Sequence, residues 1–388
     1  MWRSLLIAVC LLSAAAWLPA DEIIMLDGQK LSGEIVAIDE AGQVTGKNLP
    51  AELQLDLLRR IDRSVPEQSA KSAVVLDLVG GGRILGDSVT VADEKFHVAW
   101  AFGEKLVLPI DVVRSVRLKP AVTDDTFEAA LTKPSADNDR LFVEVDGKLT
   151  ILTGLVESLT AENVVFQYEG AQQTLPLAKL FGIVVAQVDT GIKPPSGVTL
   201  ELADGSRVAG VAKSLADGKL AVSIGPASAE LPWAAVKSVA VRSSRLAFLS
   251  DLDPAEVEES RLVTLPQPWQ RDKSVARKTL TLGERKFDRG IGTHAYSKLV
   301  FDLAGNYDAF NATIGIDAAA ERHGDCIFVV VADGQEVARE RMTGTTEPKE
   351  LKLDISGVKQ LTLIVEPGED LDLADLANWA DARVIKQK

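Results

Sequence analysis

The sequence predicts an all-β protein: a series of small five-stranded barrels followed by a β-sandwich. Three observations predict it. A glycine-centred hairpin motif recurs four times between residues 21 and 243. A second short motif, ending in an apolar run, closes each copy. Beyond residue 245 the chain becomes a succession of short alternating segments with little helical periodicity. At 388 residues it is too long for one ordinary core, so several domains are expected.

The first twenty residues read MWRSLLIAVCLLSAAAWLPA. Arg3 supplies a positive start, Leu5 to Leu18 a short apolar run, and Leu18-Pro19-Ala20 ends in a small residue before Asp21. This is the pattern of a secretory signal peptide over residues 1–20, and it implies a secreted or periplasmic protein. The competing reading is an uncleaved anchor, but the apolar run falls short of the roughly 20 residues a spanning helix needs. No later segment is long and apolar enough to span a bilayer. The formal net charge of −14 disfavours nucleic acid as a partner, because an acidic surface repels phosphate. Cys10 leaves with the signal peptide, so Cys326 has no disulfide partner. Its setting in GDCIFVVVAD is that of a buried strand cysteine, with a thiol activated by His323 as the sharper alternative.

The repeats occupy residues 21–65, 72–120, 140–188 and 197–243. Their opening motif reads MLDGQKLSGEIVAI, DLVGGGRILGDSVTV, VEVDGKLTILTGLVESL and LELADGSRVAGVAKSL. In three copies the turn glycine (Gly28, Gly81, Gly205) precedes a second glycine (Gly33, Gly86, Gly210) by the same spacing; in the third, Gly147 to Gly154 is two residues longer. Asp-Gly or Gly-Gly between alternating segments signals a hairpin. The closing motif reads LVLPIDVVRSVRL, TLPLAKLFGIVVA and ELPWAAVKSVAV, with a looser LQLDLLRRIDRSV in the first copy. Leu-Pro suits one tight helical turn before a last strand. Strand, hairpin, strand, turn and strand in about 50 residues suggest an SH3-like or Sm-like barrel. Residues 121–139 form the longest linker, with room for a short helix at TFEAALTK. Asp27, Asp146 and Asp204 are expected to bond their own turns. Trp100 and Trp233 are expected in cores or between copies, His97 on a strand, and no catalytic cluster is visible in this half.

Residues 246–388 open with a proline-rich loop and continue as short strands, with KLVFDL alternating from Lys298 and ADGQEV as a hairpin turn. The segments FLSDLDP, PW at Pro268-Trp269, RDKSV, RGIGTHAYSKLVFDL, FNATIGID, ADGQEV, LDISGVKQLTLIVE and NWADARV follow one another in an order and spacing that resemble the NPCBM family of carbohydrate-binding modules. The resemblance implies a discoidin-like, galactose-binding-like jelly roll that binds glycans, galactose-type sugars above all. It also implies a structural calcium ion near the last strand, for which Asp381 and then Asp317 are the side-chain candidates. Candidate ligand contacts are His294, Tyr296, His323, Trp269 and Trp379. The family's closing run carries a histidine and an aspartate where this chain has Leu376 and Asn378.

A triad of His294, Ser297 and Asp302 can be written down, but strand alternation separates Ser297 from Lys298 and nothing supplies an oxyanion loop. A glycosidase needs two carboxylates at a defined separation, and no pair stands out. The sequence therefore points to an exported, non-catalytic glycan-binding protein. An envelope scaffold holding a protein partner is the alternative, and an accessory or cryptic glycoside hydrolase comes third.

Overall fold

Almost every element is a strand; the one α-helix among the described residues is Asp125–Thr132. The computed structural model describes residues 20–68, 73–100, 102, 105–119, 124–133, 135–186, 197–225, 227–260 and 268–386. The expected signal peptide therefore lies outside the described residues but for Ala20, as do residues 120–123 and 134 in and beside the linker expected at 121–139. The chain divides into two units: Lys30–Val241 with the residues up to Ile24, and Arg242–Lys388 with Met25–Gln29.

In each repeat a first strand (Asp21–Met25, Val74–Leu78, Asp139–Val145, Gly197–Leu202) turns back into a second. The second glycine of the motif always stands at the far end of that hairpin, in the pairs Asp21↔Gly33, Val74↔Gly86, Asp139↔Gly154 and Val198↔Gly210. Its cause is steric. A Cβ on Gly154 would lie 2.1 Å from the Gln167 carbonyl oxygen, and one on Gly210 would lie 2.3 Å from that of Ser223. The third strand crosses there, and only glycine leaves it room. The two extra residues of the third copy lengthen the hairpin and leave the crossing unchanged.

Beyond the glycine the second strand bulges, between Ile35 and Ala37, Val156 and Ser158, and Ala212 and Ser214, and swings over to pair with the third. A single 3₁₀ turn precedes each last strand. Pro109, Pro176 and Pro232 sit just ahead of that turn, where Gln54 stands in the first copy.

The last strands do more than close their own copies. That of the second copy pairs with its own first strand (Val116↔Leu76) and with the last strand of the third copy (Val116↔Ile183). The last strands of the fourth and first copies join in the same way, at Val239↔Ile61. The four copies, expected as separate domains, thus share one hydrogen-bonded network. Side chains reinforce it. The Arg63 guanidinium lies 4.2 Å from the Trp233 ring centre, donates to the Val236 and Trp233 carbonyls, and pairs with Asp21 at 3.1 Å. Trp100 Nε1 donates to Asp204 Oδ2 at 3.0 Å, joining the second and fourth copies. The helix is capped by Asp124 and packs Phe127 edge-on against Phe142 and Phe181.

The second unit is an antiparallel sandwich. One sheet orders Gln270–Arg271, Gly290–Thr293, Ala377–Ile385, Ala309–Ile316 and Lys349–Asp354; Leu246–Phe248 also pairs with the long last strand. The other orders Glu256–Glu259, Ser297–Asp302, Gln360–Pro367, Asp325–Ala332 and Gln335–Thr343. Phe301, Phe310, Phe328, Cys326 and Trp379 fill the space between them.

Candidate functional site

Strand register gathers the candidate residues at one end of the sandwich. Thr293 and Ile316 both stand opposite Ala377, and Ser297 stands opposite Val365. The segment 294–296 and the loops 317–324 and 368–376 therefore emerge on the same side. Gln270 opposite Gly292 brings Trp269 there too.

Trp269 is half-buried. Its backbone N–H donates to Glu259 Oε1 at 2.8 Å, and the Arg271 guanidinium lies 4.9 Å from its ring centre. Arg271 is itself held by the Ser250 and Leu252 carbonyls and by Asp253. The same Glu259 oxygen lies 3.3 Å from His294 Nε2, while His294 Nδ1 faces the Ala295 carbonyl at 3.0 Å. Both ring nitrogens thus face acceptors, and the ring is only 1% exposed. His294 orients Glu259 from inside the domain. It is not a surface contact, and it is not the base of a triad: Ser297 is buried and takes the Thr293 hydroxyl at 2.7 Å. Tyr296 is half-buried, with its backbone paired to Ser260. His323 is exposed on the neighbouring loop, where its carbonyl fills the space a side chain at Gly344 would need.

Trp379 is placed differently. It is fully buried and meets Phe328 edge to face at 4.9 Å, so neither of its ring faces is open to a ligand. Its neighbours at the altered positions also point inward: Leu376 packs on the core, and Asn378 Nδ2 donates to Asp317 Oδ2 at 2.6 Å.

The two metal candidates do not fit a calcium cage. Both oxygens of Asp317 already accept, from Ala319 N, Thr281 N and Asn378, and Asp381 Oδ2 is paired with Arg383 at 2.6 Å. Among the described residues no group of three or more His, Cys, Asp or Glu side chains is set to hold a metal.

Sequence reasoning passed over a buried acidic group at this end. Asp325 is gripped by Arg341 through two bonds of 2.6 and 2.8 Å, and Arg341 holds its carboxyl below the usual range. Asp375 Oδ1 accepts from Asp325 N at 2.8 Å, but its Oδ2 has no partner, and neither have Asp370 Oδ1 and Asn378 Oδ1. Desolvation, with Asp370, Asp325 and Asp372 close by, pushes the Asp375 carboxyl up to about 7. Burial, with Asp375, Asp325 and Asp370 close by, pushes the Cys326 thiol well up, so it stays protonated. The only signal was the alternation of GEDLDLAD, which ordinarily marks a solvated loop. Glu259, at the end of a short strand in what the sequence reads as a proline-rich loop, carried no signal at all.

Known proteins resemble parts of this chain. A Renibacterium salmoninarum protein named "Putative endo-alpha-N-acetylgalactosaminidase" is 27% identical over 107 residues, which is 27% of this chain and 7% of that protein. The structure of CBM51 from Clostridium perfringens GH95 in complex with methyl-galactose is 32% identical, covering 36% of this chain and 99% of that one, at a TM-score of 0.33. The CBM51-2 and INT domains from Clostridium perfringens ZmpB are 27% identical, covering 43% of this chain and 36% of that one, at a TM-score of 0.34. The family model that matches is the NPCBM/NEW2 domain, over residues 245–385, which takes in the whole sandwich from its first strand to its last.

Proposed function

We propose that this is an exported, non-catalytic protein whose C-terminal sandwich binds a glycan at the end carrying Trp269, Glu259, Tyr296 and His323. The observation that carries the reading is the NPCBM/NEW2 match over residues 245–385. The geometry supports it. A half-exposed indole backed by a fixed guanidinium is a platform on which a sugar ring stacks, and Glu259, oriented by His294, is an acceptor for hydroxyls beside it. A galactose-type ligand is the favoured class, in keeping with the resemblance and with the name of the Renibacterium relative. The polar network around His294 supports binding over catalysis, because its groups are committed to one another and leave no nucleophile beside a base.

The test is a glycan array followed by calorimetry on the chain lacking its first twenty residues, with calcium and with chelator. The expected result is retention of galactose-type glycans, weakened by Trp269→Ala in a folded protein. A folded sample that retains no glycan under either condition overturns the reading.

A further inference from the structure

We propose that the repeat unit holds a second binding site, for a small ligand bearing a sulfate, phosphate or carboxylate group. It lies in a groove of about 550 Å³ where the second and fourth copies meet beside the helix Asp125–Thr132. That volume is within the range of small-molecule sites, roughly 300–1,000 Å³.

The repeat itself creates the site. Arg83 and Arg207 hold the same place in their copies, two residues after the turn glycines Gly81 and Gly205. The two hairpins abut: Leu85 N donates to Ser206 Oγ at 3.0 Å, and Arg207 stands directly opposite Arg83 across an antiparallel bridge. Like charges placed directly opposite repel. Arg114 adds a third guanidinium to the same concavity.

The carboxylates in reach cancel only part of this charge. Asp77 pairs with Arg83 at 2.7 Å and also takes the Ser115 hydroxyl. Glu128 is engaged by Arg117 at 2.8 Å. Arg114 donates to the Leu131 carbonyl, which carries no charge. Glu201, opposite Arg207 in its own hairpin, takes the Ser238 hydroxyl. Among the described residues Arg207 has no ion-pair partner. A concave patch with uncompensated positive charge, in a chain of net charge −14, is a local inversion of the molecule's field. Guanidinium forks match the oxygens of sulfate, phosphate and carboxylate, and an anion seated between Arg83 and Arg207 relieves their repulsion. This site is in the other unit from the glycan-binding end and does not depend on that reading.

The test is calorimetric titration of the full exported chain with sodium sulfate, sodium phosphate and sodium glucuronate, against sodium chloride at matched ionic strength. The expected result is saturable binding of at least one oxyanion, with affinity falling about tenfold or more in Arg207→Gln, the loss of one charge-assisted contact. Arg114→Gln serves as the second variant, and circular dichroism confirms that both fold. The tightest of the three probes assigns the source: glucuronate a uronic sugar, sulfate or phosphate an ester group. Binding of every oxyanion no stronger than chloride, or binding unchanged in both folded variants, overturns the proposal.

Discussion

Asp139 in the third repeat and Asp375 in the sandwich are both buried carboxylates, and burial raises the pKa of each. Their surroundings differ. Asp139 has a backbone N–H on each oxygen, from Val156 at 2.8 Å and Ala186 at 2.7 Å, and these oppose the cost of burial. Asp21, its counterpart in the first copy, has the Ile35 N–H on one oxygen and Arg63 on the other. Asp375 has a single N–H, one bare oxygen and three acidic neighbours. In the repeats a buried acid pins the start of a strand to the bulge of the next, so it belongs to the fold. In the sandwich the acid is left half-satisfied among loops, and its ionisation works against the fold.

Removing Arg63 is the sharpest way to break this contrast, because it turns Asp21 into an Asp375-like group. Arg63→Ala is expected to lower stability by about 3–5 kcal/mol, as for other buried charges deprived of a partner, measured by urea unfolding. Asp139→Asn comes next. Its new amide hydrogens would face an N–H donor, so about 2 kcal/mol is lost near neutral pH, consistent with an unsatisfied buried donor.

Asp375→Asn is expected to act in the opposite direction and only at higher pH. An acid whose pKa rises on folding holds its proton more tightly when folded. Stability is therefore complete below the unfolded value near 4 and declines as pH climbs to the folded value of about 7. The asparagine keeps the bond from Asp325 N and cannot ionise. Thermal unfolding should show a gain of about 2 kcal/mol near pH 8 and none near pH 4, after allowance for partial solvent screening. A gain of equal size at both values would show that charge is not the cause. The smallest effect on stability belongs to Trp269→Ala, below about 1 kcal/mol for a half-exposed ring, although the same change should weaken glycan binding on the array.

Much of the fold was legible in the sequence because it depends on near neighbours. Alternation exposed the strands and the Asp-Gly turns the hairpins; the fixed glycine spacing marked a repeated position whose steric cause only the strand register supplied. The motif order after residue 245 was enough to place a sandwich there. The candidate site was legible by residue type but not by position. Two tryptophans fared differently: Trp269 stands just before a short edge strand, beside Arg271, and Trp379 stands on the central strand of its sheet under Phe328.

The sequence by itself determined the all-β architecture and the recurrence of the glycine-centred hairpin, since these follow from steric and hydrophobic rules acting within a few residues. Only the tertiary structure decided that the second copy joins the third and the fourth joins the first, that Arg83 meets Arg207, and that Glu259 serves both Trp269 and His294. The last strands share one apolar pattern, so any could pair with any other. Which pairing forms, and which charges it brings together, depends on contacts between residues far apart in the chain, and no local pattern encodes them.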